Sequence, residues 1–243
     1  EVTGSIEADH PLQRVRPVKA CIAGQRWEWD GVVFEMLHPL EGADAPSTTA
    51  ATAATPATAK RPVPAIRPNA LSCVLRIAAG AAHGSNGAVA LLVGDIEARQ
   101  EQALIARNVP GDEPGHQPHK ESNAEQSSVL GNALADAPAT ASTDTPLRAD
   151  LLLVPHHGSK TSSSQAFLAA VQPRTALVQA GYRNRFGHPA PEVLQRYQAL
   201  GIAVVESPRC GMATWSSAAP ALVACERETA QRYWQHRMPA RLN

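Results

Sequence analysis

The chain reads as an α/β protein, a sheet of short apolar strands with helices laid against it. Three observations carry this expectation. Leu151 to Val154 are four consecutive apolar residues ended by Pro155, the pattern of a buried strand. Ala88 to Val93 is a second such run, ended by Gly94 and Asp95. After residue 148 the periodicity alternates strand, helix, strand, helix, strand across short connections, which is how a helix-covered sheet is written in sequence.

The elements follow in order. Arg26 to Trp29 and Val32 to Leu37 are two strands around Asp30-Gly31, a pair suited to a type I′ hairpin turn because both positions tolerate positive φ. Ser72 to Ala78 is a strand, and turn residues from Gly84 to Gly87 return the chain as its antiparallel partner, Ala88 to Val93. Glu97 to Arg107 carries Leu104 and Ile105 on one side and predicts a helix after Asp95. Ser162 to Val171 is a helix with a serine N-cap, since a side-chain hydroxyl satisfies a free first-turn amide. Thr175 to Gln179 is a strand, Pro191 to Leu200 a helix with proline in its first turn, and Ile202 to Glu206 a strand. Met212 to Trp215 and Ala221 to Cys225 are short strands.

Residues 43–65 are almost entirely Ala, Thr, Pro and Ser, and 108–147 are rich in Gly, Pro, Ser, Asn and Ala. Such compositions cannot bury enough apolar area to offset the entropy of ordering, so both are expected to be disordered insertions in one domain spanning 12–236. The formal net charge is zero, which excludes a global field drawing the chain to nucleic acid or membrane, and no basic surface patch is evident. The four cysteines lack metal-ligand spacing, and Cys73, inside an apolar strand, is expected as a buried free thiol. No run approaches the ~18 apolar residues of a membrane span and no signal-peptide core opens the sequence, so the chain by itself reads as soluble.

Chemistry concentrates at strand exits. Asp95 follows one strand, and His156-His157-Gly158-Ser159 follow the other. A carboxylate and an imidazole pair are the ligand types of a hydrolytic di-metal site. Taken alone, Asp95 reads rather as a cap for the next helix. Ser159 lacks the Gly-x-Ser-x-Gly setting of a hydrolase nucleophile. Asn184-Arg185-Phe186-Gly187-His188 lies between a strand and a helix; Arg185 could fork onto a phosphate, with His188 beside it. Asn69 and Ser72 flank the strand before Asp95, where a loop amide and a strand-start hydroxyl are the plainer reading. His38 reads as a surface histidine. Glu7-Ala8-Asp9-His10 imitates half of a metal motif, but no apolar strand precedes it and Pro11 follows where glycine would be needed.

In combination, the blocks Cys21 to Val32, Asn69 to Arg76, Leu91 to Glu97, Val154 to Ser163 and Gly181 to Pro189 resemble the C-terminal metallo-β-lactamase-like domain of ComEC-type competence proteins. These are inner-membrane channels for DNA uptake in natural transformation. The resemblance implies an αββα sandwich with a divalent metal centre, zinc or manganese, at one edge. It implies Asp95 and His157 as metal ligands, with Asp95, His156, Lys160 and His188 as catalytic residues. Asn69, Ser72, Ser159, Asn184 and Arg185 would be on the substrate side. The implied reaction is phosphodiester hydrolysis of DNA, the cation activating water and stabilising charge on the attacked phosphate.

The family's first metal motif, His-x-Asp-x-Asp-His, and its channel helices have no counterpart in the sequence. The chain is therefore expected to be the C-terminal part of the module, with the upstream half, the membrane helices and DNA as partners. Metal binding is expected to be weak or absent and the chain inactive alone. A non-catalytic remnant of the same fold and a free-standing hydrolase of the superfamily are the alternatives.

Overall fold

The computed structural model describes residues 3–4, 11, 19–41, 68–80, 87–108 and 147–234. The insertion at 43–65, most of that at 108–147, the 7–10 motif, and His83, His116, His119 and His236 lie outside the described residues. Both ends of the second insertion are built into the fold: Asn108 closes a helix and Leu147 is fully buried.

Seven strands form one mixed sheet in chain order. Two short strands, β1 (Thr3–Gly4) and β2 (Lys19–Ala20), pair separately. Then β3 (Arg26–Trp29), β4 (Val32–His38), β5 (Val74–Ala79) and β6 (Val89–Leu92) run antiparallel. From β6 onward β7 (Leu151–Leu153), β8 (Thr175–Val178) and β9 (Ala203–Glu206) are parallel. Parallel neighbours need crossovers, and these contain α1 (Ala98–Asn108), α2 (Gln165–Val171) and α3 (Pro191–Ala199). Beyond β9 come α4 (Ser207–Cys210), the antiparallel pair β10 (Ala213–Trp215) and β11 (Val223–Cys225), and α5 (Glu226–Thr229). The expected α/β layering is present, and Asp30 and Gly31 both have positive φ at the hairpin turn.

Several boundaries move inward for identifiable reasons. The strand expected from Ser72 starts at Val74, because the Ser72 hydroxyl is engaged with the chain beyond β6. The helix expected from Ser162 starts at Gln165 with Ser164 as its N-cap, whose Oγ accepts the Phe167 amide at 3.3 Å.

The two faces of the sheet differ. On one, Leu91, Leu152 and Ala176 are fully buried against Leu104 of α1, Phe167, Leu168 and Val171 of α2, and Val193 and Tyr197 of α3. On the other, Leu75, Leu92, Leu153, Leu177 and Val205 form one cross-strand row, and all five are only partly buried. They stand outside the helix-side core cluster.

Two expectations are overturned. Cys73 is not a free thiol: it is bonded to Cys21, and Cys210 is bonded to Cys225. Strand burial hid this, because a thiol inside a strand looks the same in sequence whether or not a second cysteine packs opposite. His38 is not a surface residue; it is buried, and its Nε2 lies 2.8 Å from the Ala70 carbonyl oxygen. Burial, with the Arg107 charge adding to it, pushes its pKa below the ordinary histidine value against the pull of that hydrogen bond.

A buried polar knot joins the helices to the loop after β7. Glu101 of α1 is fully buried, and its carboxylate accepts the backbone amides of Ser163 and Ser164, the latter at 2.8 Å. Arg196 Nη1 donates to the Ser162 and Ser163 carbonyls, and Tyr197 Oη lies 3.1 Å from Ser163 Oγ. Removing the carboxylate orphans two buried amides, so Glu101→Leu should cost about 2–4 kcal/mol in urea unfolding. Burial raises the Glu101 pKa above its ordinary 4.5, against hydrogen bonds from Ser164 and Ser163. The folded state thus holds this proton more tightly than the unfolded chain. The associated stability is complete below the ordinary value and declines as pH rises through the folded one. Wild type should lose stability relative to Glu101→Gln between acid and neutral pH; a gain would contradict this placement.

Candidate functional site

Asp95 and His156 each lie three residues beyond a paired strand position, because Leu92 and Leu153 are register partners in parallel β6 and β7. The two exits are tied directly: the His156 amide donates to the Gly94 carbonyl at 3.0 Å. Gly94 has positive φ, and a Cβ there would meet Ser72 Cβ at 3.0 Å. The turn after β7 is left-handed. His156 (φ 48°, ψ 42°), His157 (φ 55°, ψ 18°) and Gly158 (φ 81°) follow one another in that region. For non-glycine residues this costs about 1–2 kcal/mol each, so the surroundings must hold it. They do so through Ser159 N–H to His156 O at 2.8 Å, Ser162 Oγ to Pro155 O at 2.8 Å, and Ala190 N–H to Gly158 O at 2.8 Å.

The left-handed turn sends the two imidazoles to different partners. His157 Nδ1 lies 2.7 Å from the Gln179 carbonyl oxygen, which can only accept, so Nδ1 carries the proton. Nε2 is then left facing Asp95 Oδ1 at 3.4 Å. Both side chains are nearly half exposed, at 49% and 41%. His156 faces the other way, toward Asn69, whose Nδ2 is 3.4 Å from His156 Nε2. Glu97 Oε1 stands 3.4 Å from His156 Nδ1 but off the hydrogen-bond direction, leaving that buried nitrogen without a hydrogen bond. The Asp95 amide donates to Ser72 Oγ at 3.1 Å. Asp95 does not take the capping role open to it in sequence. The helix starts three residues later, where Gln100 Oε1 accepts the Glu97 amide.

The loop from Gly181 to His188 closes the other side. Asn184 accepts the Phe186 and His188 amides through Oδ1 and donates Nδ2 to the Gly181 and His188 carbonyls, so its side chain is committed to shaping the loop. His188 lies 6.0 Å from the His156 ring, with its Nδ1 buried and unpartnered. Burial, then the nearby His156 and His157 rings, push its pKa below the ordinary value. Between this loop and His157 lies a cleft of about 520 Å³ that also reaches Gln179 and Ser207.

Of the residues singled out in sequence, Asn69, Ser72, Asp95, His156, His157, Asn184 and His188 are brought together. Ser159 is buried in its own turn, with Oγ 3.1 Å from Thr161 Oγ1. Lys160 and Arg185 are exposed; the Arg185 guanidinium lies 4.8 Å from the Phe186 ring centre. Glu97 and Gln179 were missed. Glu97 carried a signal, an acid two residues beyond Asp95, whereas Gln179 acts through its backbone and leaves none.

The donor pair suits a divalent cation in kind. A ligating imidazole usually donates its other N–H to a carbonyl or carboxylate, as His157 does. Two atoms 3.4 Å apart can share one ion at the ~2.0–2.2 Å typical of such bonds. It falls short in number. Even an open catalytic zinc site has about three protein ligands. Among the described residues no group of three His, Cys, Asp or Glu side chains converges to hold a metal.

No family model matches the chain. It is 29% identical over 213 residues to competence protein ComA of Neisseria gonorrhoeae, covering 88% of this chain and 22% of that protein. It is 26% identical over 217 residues to uncharacterized protein YcaI of Escherichia coli, covering 89% and 21%. Over a shorter stretch of 65 residues it is 43% identical to ComE operon protein 3 of Bacillus subtilis, 27% of this chain and 8% of that protein. The chain is thus similar to proteins named for competence, and it spans about a fifth of the length of the first two relatives. Among the described residues no helix is long and apolar enough to cross a membrane.

Gly158 tests how firmly the site is held. A Cβ there would meet Pro189 Cβ at 2.6 Å, and φ is already left-handed. Gly158→Ala should lower stability by about 1–3 kcal/mol in chemical unfolding and shift the His157 ring resonances. A neutral effect on both would mean that the 187–190 segment is not docked on the turn.

Proposed function

We propose that this chain is the C-terminal part of a metal-dependent phosphodiesterase module of an inner-membrane DNA-uptake protein. The observation that carries the reading is the Asp95–His157 pair, a carboxylate oxygen and an imidazole nitrogen 3.4 Å apart at adjacent parallel strand exits. Two lone pairs so placed are brought together by a proton or a cation, and the Nδ1 hydrogen bond to Gln179 aims the second nitrogen at the carboxylate.

The sandwich expected from the sequence supplies what the pair lacks. The row Leu75, Leu92, Leu153, Leu177 and Val205 offers an apolar sheet face on which a second sheet of the longer protein would pack. That sheet would bring the further ligands. Once held, zinc or manganese would supply Lewis acidity at a phosphodiester. This chain's residues would do the rest: Asp95 and His157 as ligands, and His156 kept in place by Asn69. His188 would line the cleft, with Arg185 as a fork for a phosphate.

The test is DNA hydrolysis with Mn²⁺ or Zn²⁺, by the complete module of the longer protein and by the 243 residues alone. The complete module should turn over, Asp95→Ala and His157→Ala should each reduce it to background, and the isolated chain should be inactive. Robust cleavage by the isolated chain that survives Asp95→Ala would contradict the reading.

A further inference from the structure

We infer that the loop from Tyr182 to His188 is a stacking platform for an unpaired nucleobase beside the Asp95–His157 pair, an inference that rests on the phosphodiester reading above. Phe186 is 67% exposed, an unusual state for a phenyl ring, yet its loop is not loose. Asn184 pins it with four hydrogen bonds, and the ring stacks on His188 at 17° and 5.9 Å. A preset ring held outward at the rim of a 520 Å³ cleft binds a second flat ring at little entropic cost.

What surrounds the ring selects the partner. Tyr182 is also exposed, at 44%, and Arg183 and Arg185 lie in sequence between the two aromatic residues. Arg183 lies 5.2 Å from the Tyr182 ring centre and Arg185 4.8 Å from that of Phe186. Neither guanidinium has an ion-pair partner among the described residues. Exposed aromatic faces, each beside a cation without an ion-pair partner, match a polymer that carries both flat bases and phosphates, whereas an apolar peptide would leave both cations without use. A base inside a duplex has its faces covered by its neighbours, so only an unpaired one can reach Phe186. The platform therefore biases the site toward single strands, independent of base identity, because every base has a π-face.

Fluorescence anisotropy on the 243-residue chain tests this with three probes: a labelled oligothymidine, an abasic oligomer of equal length, and the thymidine strand in duplex. Oligothymidine should bind about tenfold tighter than the abasic oligomer. Phe186→Ala should bring oligothymidine down to the abasic level without moving abasic binding, and Phe186→Trp should restore it. Arg185→Gln should weaken both single strands and flatten their salt dependence. Thermal unfolding of Phe186→Ala should match wild type, since the ring is outside the core. Equal binding of the thymidine and abasic oligomers, or tighter binding of the duplex, overturns the platform and leaves the phosphodiester reading standing. Binding of none of the three overturns the platform as well, while the phosphodiester reading stands or falls on hydrolysis by the complete module.

Discussion

The parallel register between β6 and β7 is the constraint on which the site depends. Leu92 beside Leu153 sets Leu91 beside Leu152 in the helix-side core, and the same pairing places Asp95 and the histidine turn side by side. A slip by one residue would turn Leu91 and Leu152 out of the core and carry the histidines out of reach. The alignment of two functional groups is thus enforced by two leucines that never touch them. The tie from the His156 amide to the Gly94 carbonyl extends this register past the strand ends.

The left-handed turn is sustained by connections from several directions. The Glu101 knot anchors the segment just after it, Pro189 closes on Gly158, and Ala190 bonds back to its carbonyl. Three helices therefore act on a four-residue turn, and strain that would relax in isolation is retained where it aims two rings apart. His156 is directed to Asn69 and Glu97, His157 to Gln179 and Asp95. One dipeptide thereby supplies one partly buried and one exposed imidazole.

Much of this was legible in the sequence, for reasons that can be named. The apolar runs at 88–93 and 151–154, each ended by a turn-former, locate both strand exits, and the exits carry the donors. Asn184 and His188 stood out as a polar loop, although Asn184 proves to spend its amide on the loop's own backbone. What stayed hidden depends on pairing in three dimensions. Glu101 looks like any solvated helix acid until α2 is set against it. The Cys21–Cys73 bond joins positions 52 residues apart, and no local pattern marks it. Gln179 contributes only a carbonyl, which every residue has. Phe186 was quoted within a motif, but its outward pose is set by the turn that Asn184 builds.

The central claim is that the fold holds the neutral His157 ring as the Nδ1–H tautomer, with Nε2 facing Asp95. Long-range ¹H–¹⁵N spectra of the histidine rings, taken at alkaline pH where an imidazole carries one proton, report this tautomer directly. The account predicts an Nδ1–H signature for His157 whose Nε2 resonance moves on addition of Zn²⁺, with no such movement in Asp95→Ala. An Nε2–H tautomer for His157 would contradict it, because the nitrogen facing Asp95 would then be a donor to the carboxylate and closed to a cation.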